Sequence, residues 1–214
     1  LEHGTATWGP RDMLVYEDER VTFEAHAKAV QHLADVLINR FGLKKGDRVA
    51  ICMRNYPQWS VIFWACVASG FIATPLNSWW KSDELEYGLE NSGARLAIVD
   101  PQIFERIHGL WGNLPDLENI IIARADDEYS DPKVTSMESL IGASSDWARL
   151  ENIGLPQVEV MPDDDATLMY SSGTTGKPKG VLATHRAIIS NLFNSLSNQA
   201  RAYLRRGEAI PVNG

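Results

Sequence analysis

Short apolar runs alternate with longer segments of helical periodicity along most of the chain. Residues 48–53 (RVAICM), 71–74 (FIAT), 96–99 (LAIV) and 120–123 (IIIA) are largely apolar without internal alternation, which is typical of strands buried on both faces of a sheet. The segments between them place apolar residues at the spacing of a helix. This order predicts an α/β fold, with a mainly parallel sheet and helices on both faces.

The N-terminal part predicts a hairpin before the first long helix. Residues 1–11 are expected to form a poorly ordered lead-in, and residues 13–16 and 20–22 to pair as two short strands. Thr22 is a suitable N-cap for a helix that runs to about residue 40, because its hydroxyl can accept a bond from a free backbone N–H.

Further capping signals set the limits of later helices. Ser82 is expected to cap a helix that Gly93 ends, and residues 135–138 (TSME) match the capping box of a short helix. Thr184 is expected to cap a long amphipathic helix that follows two strands, residues 166–170 and 181–183.

The segment that joins these two strands, residues 170–180 (YSSGTTGKPKG), has a composition that favours binding of an anion. Glycines allow backbone N–H groups to converge, hydroxyls add short donors and lysines add positive charge. It is not the common P-loop, because Gly176-Lys177 is followed by Pro178 and Ser171 stands where the first glycine is required. The remaining alternative is a flexible, hydroxyl-rich turn.

Residues 171–180 closely resemble the signature loop of the adenylate-forming enzymes, which include acyl-CoA synthetases, luciferases and adenylation domains of peptide synthetases. Residues 45–51 (KGDRVAI), 69–77 (SGFIATPLN) and 84–100 resemble the family's preceding motifs in their usual order. The resemblance covers nearly the whole chain and is strongest to fatty acyl-CoA synthetases. It implies the N-terminal part of the large domain of the acyl-CoA synthetase and luciferase fold.

The same resemblance implies a two-step reaction that uses ATP, Mg²⁺ and coenzyme A. A carboxylic acid, expected to be a fatty acid, is activated to an acyl-adenylate, and its acyl group is then transferred to the thiol of coenzyme A. The expected partners are therefore these small molecules. Two other hypotheses stay open. The protein could be an enzyme of the same superfamily that adenylates an amino acid or an aryl acid, or it could be a non-catalytic nucleotide-binding module.

The resemblance also assigns the ATP phosphates to particular residues. These are Ser171, Ser172, Gly173, Thr174, Thr175, Gly176, Lys177, Lys179 and Gly180. The hydroxyl of Ser171 is the candidate to approach Mg²⁺, and Lys179 is favoured over Lys177 because the Lys-Gly pair that closes the loop belongs to the family pattern. His185 is a candidate for contact with the substrate or nucleotide, the alternative being a polar residue at the start of a helix.

Other polar and aromatic clusters are weaker candidates. Asp163, Asp164 and Asp165 are consecutive, so they do not all point one way, and a solvated or capping role is favoured over a metal site. Trp79 and Trp80 could line a tunnel for the acid, but adjacent aromatic residues more often pack at a sheet edge.

Composition excludes several classes of partner. With 20 basic and 28 acidic residues the net charge is −8, which argues against binding to nucleic acid. The longest apolar stretch, residues 61–68, is far shorter than the about twenty residues of a membrane span. The two cysteines, Cys52 and Cys66, lie in apolar runs and are expected to be buried thiols, so a cytoplasmic location is expected.

The expected domain plan is an incomplete one. Residues 12–125 form a first α/β unit, residues 126–165 an irregular connection, and residues 166–206 the strand–loop–strand–helix that carries the phosphate loop. Complete members of the resembled family are more than twice as long, and their catalytic lysine belongs to a C-terminal domain without a counterpart here. The chain alone is therefore expected to be inactive.

Overall fold

The structure, a computed structural model, describes residues 1–125, 129–171 and 176–209, which form an α/β fold around one large sheet. The strands are β1 (Asp12–Tyr16), β2 (Glu19–Thr22), β3 (Arg48–Cys52), β4 (Ile72–Pro75), β5 (Leu96–Val99), β6 (Asn119–Ile122), β7 (Val134–Ser136), β8 (Asp165–Ser171) and β9 (Lys179–Thr184). The helices are α1 (Glu2–Trp8), α2 (Phe23–Asn39), α3 (Pro57–Ala68), α4 (Ser82–Ser92), α5 (Pro101–Ile107), α6 (Met137–Ile141) and α7 (His185–Arg205), with 3₁₀ turns at His108–Asn113 and Trp147–Arg149.

The large sheet has the strand order β7-β6-β5-β3-β4-β8-β9, and β1 and β2 pair separately as the predicted hairpin. The first six strands in this order, from β7 across to β8, are parallel to one another, and the last strand, β9, is antiparallel to β8. The chain passes from β3 to β4 on one side and then returns to β5 on the other side of β3. The prediction of a mainly parallel sheet is therefore confirmed.

Helices cover both faces of the parallel part of the sheet, as predicted. Strand β5 is fully buried, and its side chains alternate between the two cores. Ile98 joins the core that also contains Leu33 of α2 and Val61 of α3, whereas Val99 joins the core with Leu85 of α4. Burial on both faces explains why these strands are continuously apolar in sequence.

Three predicted helix limits are confirmed, among them Thr184, whose hydroxyl accepts from the backbone N–H of Ala187 at 3.2 Å and caps α7. The Thr22 side chain accepts a hydrogen bond from the backbone N–H of Ala25 at 3.2 Å, so it caps α2. Gly93 ends α4 with a left-handed backbone, φ +59°. A glycine tolerates this conformation because it has no Cβ.

Two other predicted caps are wrong by one residue. Helix α4 begins at Ser82 itself, and the carboxylate of Glu84 accepts a bond from the backbone N–H of Lys81 at 2.9 Å. At α6, Ser136 rather than Thr135 is the cap, since its hydroxyl accepts from the N–H of Ser139 at 3.1 Å. Local capping patterns fix a helix start only to within a turn, because neighbouring residues compete for the same free amides.

The lead-in expected over residues 1–11 is also wrong, since residues 2–8 form α1. The ring of Trp8 packs against Phe23 of α2, with 5.6 Å between centroids. Hydrogen bonds from the N–H groups of Phe23 and Glu24 to Arg11 and Gly9 tie the segment down. These are contacts with a distant helix start, which local sequence does not reveal.

Helix α7 has a different environment from the other long helices. It is 21 residues long, and in the described part of the chain none of its residues is buried. The large apolar side chains of Ile189, Leu192, Phe193 and Leu196 are 50–65% exposed. Among the described residues, no helix combines the length and hydropathy that spanning a bilayer requires.

Both cysteines are buried free thiols, as predicted. Burial raises the pKa of Cys52 to about 12 and raises the pKa of Cys66 as well, because the charged thiolate is poorly solvated there. Neither thiol is therefore suited to act as a nucleophile at neutral pH.

Candidate functional site

The antiparallel hairpin of β8 and β9 presents the glycine-rich segment at its tip. The last paired residues are Ser171 opposite Lys179, preceded by Tyr170 opposite Gly180. The predicted phosphate-binding residues Ser172, Gly173, Thr174 and Thr175 lie outside the described residues. The structure therefore places Ser171, Lys179 and Gly180 together on the two strands that flank the loop, and Gly176 and Lys177 at its end.

At two positions of the segment the structure shows why glycine is required. Gly176 has φ +114°, a backbone conformation that other residues rarely adopt. At Gly180 the constraint is space, because a Cβ there would come within 2.9 Å of the side chain of Leu168. Both requirements lie at the described end of the loop and fix how the chain enters β9.

Helix α4 supports this end of the loop. The hydroxyl of Tyr87 donates a hydrogen bond to the carbonyl of Pro178 at 3.1 Å, and the ammonium of Lys177 lies 4.7 Å from the centre of the Tyr87 ring. On the other strand, the hydroxyl of Tyr170 lies 2.9 Å from Oδ1 of Asn91. Two tyrosines thus connect both stems of the loop to one helix face.

Aromatic packing completes the support. Trp80 meets Tyr170 edge to face, with 5.8 Å between ring centroids, and burial raises the pKa of the Tyr170 hydroxyl. Gly88 makes room for this, since a Cβ there would come within 2.8 Å of the Trp80 ring. Trp79 is instead 73% exposed and lies against the guanidinium of Arg54 at 4.7 Å. Trp80 therefore packs between α4 and β8, so packing against the sheet, as favoured from the sequence, holds for Trp80 but not for Trp79.

An open groove of about 760 Å³ lies beside the hairpin and α4. Its walls include Arg48, Tyr87, Asn91, Lys179 and Gly180. Arg48 is engaged in bonds to the carbonyls of Ser92 and Gly93, at 2.9 and 2.8 Å. Lys179, which is exposed, is therefore the cation of this wall that remains available to an anion at the loop.

The Ser171 hydroxyl is the predicted Mg²⁺ ligand. It donates to the carbonyl of Lys179 at 3.4 Å and remains exposed. Within residues 1–125, 129–171 and 176–209, no three His, Cys, Asp or Glu side chains come together as a metal site. Because Mg²⁺ in phosphate sites is often held by few protein ligands and the phosphates themselves, the exposed hydroxyl fits such an ion.

His185 lies at the opposite end of the hairpin. It follows the pair of Asp165 and Thr184, which is six residue steps along β8 from the pair next to the loop, Ser171 and Lys179. This is a distance of about 20 Å at the rise of a strand. Burial lowers the pKa of His185, with Asp164 opposing this shift. The structure does not bring His185 together with the loop, and its contact with a ligand stays a prediction.

The three consecutive aspartates do not converge. Asp163 accepts from the guanidinium of Arg186 at 2.7 and 3.0 Å, and Asp164 pairs with Lys45 at 2.6 Å. Each cation lowers the pKa of its partner carboxyl. The first ion pair connects the segment before β8 to the start of α7, and the second connects it to the turn before β3. Both are structural roles, as favoured from the sequence over a metal site.

The supporting tyrosines contact the stems of the candidate loop, and the sequence analysis did not identify them. Tyr87 and Asn91 are four residues apart, so the predicted helix over residues 83–91 already places them on one face. Tyr170 directly precedes the loop. What local sequence does not contain is the contact between that helix face and the hairpin, because it joins residues about 80–90 positions apart.

Fold and site define an α/β protein whose mainly parallel sheet ends in an antiparallel hairpin with a glycine-rich, lysine-bearing loop. The family model of the AMP-binding enzymes, described as "AMP-binding enzyme", matches residues 1–209. The chain therefore belongs to this family, and the resemblance seen in its motifs is confirmed.

Curated relatives include acid–CoA ligases. The chain is 33% identical over 190 residues to the long-chain-fatty-acid–CoA ligase FadD13 of Mycobacterium tuberculosis, an alignment that covers 86% of this chain and 34% of the relative. It is 28% identical over 208 residues to the long-chain-fatty-acid–CoA ligase of Escherichia coli O6:H1, covering 90% and 37%. The chain thus spans about a third of the length of these relatives.

Among solved structures, the anthranilate CoA ligase AuaEII in complex with anthranoyl-AMP resembles the chain with a TM-score of 0.74 and 28% sequence identity. The match covers 86% of this chain and 34% of that one. The predicted fold is confirmed by this similarity.

Proposed function

We propose that the full-length protein containing this chain is an ATP-dependent acid–CoA ligase. A carboxylate oxygen of the acid attacks the α-phosphorus of ATP, so that an acyl-adenylate forms and pyrophosphate leaves. The sulfur of coenzyme A then attacks the acyl carbon, the thiol proton is lost and AMP leaves with its bonding electrons. Family membership and relatives that are named as acid–CoA ligases support this proposal.

The observation that carries the proposal is that both strands flanking the loop are bonded to α4 through tyrosine side chains. Its proposed contacts with the β- and γ-phosphates come from Ser172, Gly173, Thr174, Thr175 and Gly176. The contact of Tyr87 with Pro178 supports a pre-organised stem, and donors held in place before the reaction stabilise developing charge more effectively than mobile ones.

The two lysines are proposed to differ in importance. The ammonium of Lys177 lies over the Tyr87 ring, so moving it to a phosphate gives up that contact. Lys179 lines the groove beside the loop and is exposed. This supports Lys179 as the stronger phosphate ligand, with Lys177 adding charge nearby.

Mg²⁺ is proposed to accompany the nucleotide, with the Ser171 hydroxyl near it. When bound, the ion would neutralise phosphate charge and hold the phosphates in position. Lys179 and the loop donors orient the same phosphates from the protein side. The three aspartates at positions 163–165 do not bind the ion in this proposal. Two of them are ion-paired, and they lie at the end of the hairpin about 20 Å from the loop.

The acid is proposed to be a fatty acid, because the two bacterial relatives above are named as long-chain-fatty-acid–CoA ligases. An aryl acid is the second candidate, favoured by the structural similarity to an anthranilate CoA ligase. The described residues do not form a closed acyl pocket beside the loop, since the groove there is open.

The domain plan predicted from the sequence is part of the proposal. Large apolar side chains remain exposed on α7, and Val181 and Leu182 of β9 are 55% and 54% exposed. Since the alignments cover only about a third of each relative, we attribute this surface to contacts with further residues of the full-length enzyme. The 214-residue chain alone is accordingly expected to be inactive.

ATP–pyrophosphate exchange with the full-length protein tests the proposal. A panel of long-chain, short-chain, aryl and amino acids should give exchange that is strongest with long-chain acids. Strongest exchange with an aryl acid would favour the second candidate instead. ATP binding without exchange for any acid would indicate the non-catalytic nucleotide-binding module and overturn the enzyme assignment.

A further inference from the structure

The hairpin of β8 and β9 is joined to the parallel part of the sheet through its pairing with β4. Strands β4 and β8 pair at Ala73 and Thr167, whereas β3 and β4 pair over four successive residues of each strand. Strand β9 lies at the edge of the sheet, and the first four of its residues are exposed. Backbone pairing therefore gives this hairpin a narrow attachment, so further contacts are needed to fix its direction.

An ion pair connects the hairpin to the parallel part of the sheet at the base of the hairpin, the end opposite to the loop. The ammonium of Lys45, in the turn before β3, lies 2.6 Å from a carboxylate oxygen of Asp164, which directly precedes β8. The same ammonium donates to the carbonyl of Glu159 at 2.9 Å. Lys45 thus holds the segment that leads into β8 at two points.

Both members of the ion pair have further contacts that hold them in place. The N–H of Gly46 donates to the carbonyl of Gly70 at 2.9 Å, which fixes the turn that carries Lys45. The stem of the Lys45 side chain lies against Gly70, where a Cβ would come within 3.1 Å of it. The carboxylate of Asp164 also accepts from the backbone N–H of Met161 at 2.5 Å. Each partner is therefore oriented by its surroundings as well as by the other.

The ion pair is charged at neutral pH. The hydrogen bond from Lys45 is the main reason why the pKa of the Asp164 carboxyl is lowered, so the carboxylate is the stable form. The imidazole of His185 is close to both groups, and burial lowers its pKa, which favours its neutral form. The attraction between Lys45 and Asp164 is thus not opposed by a third charge from this histidine.

The segment around Asp164 also contacts the end of the second strand of the hairpin. The carbonyl of Asp164 accepts from the N–H of His185 at 3.1 Å, and the carbonyl of Pro162 accepts from the N–H of Arg186 at 2.7 Å. His185 and Arg186 directly follow β9 and begin α7. A displacement of Asp164 is therefore passed to both strands of the hairpin.

The length of the hairpin makes the direction of its base important for the loop. The base and the loop are about 20 Å apart, so a rotation of about 3° at the base moves the loop by about 1 Å. A misplacement of about 1 Å can reduce the rate of an enzymatic reaction about a hundredfold. Tyr87 and Tyr170 restrain the loop end of the hairpin, and the ion pair restrains its base.

We propose that Lys45 and Asp164 are positioning residues for the phosphate loop, because their ion pair sets the direction of the hairpin that carries it. Neither residue touches the nucleotide in this proposal, which rests on the proposed ligase function. The ion pair would place the phosphates of ATP correctly relative to the carboxylate of the acid.

Hydrogen exchange of the full-length protein without ATP tests the attachment itself. Lys45→Met keeps an unbranched stem against Gly70 and removes the charge. Exchange of the β8 amides should become at least about threefold faster, because few other contacts oppose local opening there. Lys44→Met, at an exposed lysine of the same turn, has the same change in charge and should leave the exchange unchanged. Equal exchange in the two variants would overturn the proposal.

ATP–pyrophosphate exchange with a long-chain acid tests the positioning. In Lys45→Met, kcat per ATP-binding site, with the sites counted by calorimetry, should fall about three- to tenfold. The KM for ATP should stay within about twofold, because the loop keeps its own donors. The Tm should hardly change, since partly exposed ion pairs contribute little to stability. Fewer binding sites with an unchanged kcat per site would indicate a purely structural role and overturn the proposal.

Two aspartate variants locate the effect at the ion pair. Adding Asp164→Asn to Lys45→Met should slow exchange no further, because both changes act on the same pair. Asp163→Asn breaks the neighbouring ion pair with Arg186, which does not reach the turn before β3, and should keep kcat within about twofold of wild type. A double variant slowed by the product of the two single effects would overturn the proposal.

Failure of this inference differs from failure of the proposed function. A wild-type enzyme without ATP–pyrophosphate exchange for any acid would overturn the ligase function. Wild-type exchange that Lys45→Met retains in full would overturn the positioning role alone.

Discussion

The two halves of the large sheet are built differently. In the parallel half, β5 and its neighbours are covered by helices on both faces, and all four residues of β5 are buried. In the hairpin half, the first four residues of β9 are exposed and α7 contributes no buried residue to the described structure. The half that carries the candidate phosphate loop is therefore the half with the smaller core.

This difference indicates how the protein separates stability from function. Elements that bind ligands are often drawn from the less stable parts of a fold, since few buried contacts hold them. Here a few specific contacts replace the missing core. Tyr87 and Tyr170 connect the loop stems to α4, whose inner side belongs to the parallel half.

The largest expected effect is the loss of stability when a core side chain is truncated. Truncation of an exposed apolar side chain serves as the comparison. Leu33→Ala should destabilise the chain by about 2–5 kcal/mol, because Leu33 is fully buried and leaves a cavity. Leu196→Ala on α7 should change stability by no more than about 0.5 kcal/mol, since Leu196 is 60% exposed. Urea unfolding followed by circular dichroism measures both.

Equal destabilisation by the two variants would contradict the comparison. It would mean that α7 buries its apolar face in solution, for example against a second copy of the chain. Repeating the unfolding at two protein concentrations distinguishes that case, because only association makes the midpoint depend on concentration.

The parallel half should also respond to pH through His26. Its ring is fully buried between α2 and α3, with Nε2 3.0 Å from the Ser60 hydroxyl, and burial lowers its pKa from 6.5 to about 4. The folded state thus favours neutral histidine. Stability should be complete above about pH 6.5 and decrease as the pH falls toward 4, by roughly 3 kcal/mol in total.

Unfolding measured from pH 7.5 to 4 in the original chain and in His26→Gln checks this expectation. The variant should lose most of the decrease between pH 6.5 and 4, because glutamine does not titrate. His3→Gln, at an exposed position, serves as the control and should retain the full decrease. If His26→Gln kept the same slope, another group would be responsible.

A smaller effect is expected for the contact between α4 and the loop stem. Tyr87→Phe removes the hydrogen bond to Pro178 but keeps the ring beneath Lys177. A neutral hydrogen bond contributes about 0.5–1.5 kcal/mol, so the KM for ATP of the full-length enzyme should rise about two- to tenfold. Overall stability should hardly change.

Steady-state kinetics of Tyr87→Phe and of Tyr203→Phe on α7 provide the comparison. Both lose one hydroxyl, but only Tyr87 contacts the loop stem. A KM for ATP that is equal in both variants would show that the stem contact does not position the loop.

The sequence predicted the parallel half well and the hairpin half incompletely. Apolar runs such as residues 96–99, the Thr22 cap and the Gly93 stop depend on local residues, and the structure confirms them. Helix α7 was correctly predicted from its cap and periodicity. The exposure of its apolar face was not predicted, because periodicity identifies an apolar face without indicating whether another element packs against it.

Long-range contacts account for the features that the sequence did not reveal. Glu138 matched a capping pattern, yet its carboxylate binds the backbone of the turn after β6. The loop was predicted from composition, whereas the support by Tyr87 required knowing that α4 lies beside the hairpin. Such pairings are decided by the strand order, which no local pattern specifies.

The central claim, that the segment between β8 and β9 binds the triphosphate of ATP, is tested most directly by calorimetric titration of ATP into the full-length protein and its loop variants. Lys179→Ala and Thr174→Ala should each weaken ATP binding about ten- to hundredfold, because charged hydrogen bonds contribute about 1.5–3 kcal/mol. Arg201→Ala on α7, with the same change in charge as Lys179→Ala, should leave the affinity unchanged. Wild-type affinity in both loop variants would contradict the account.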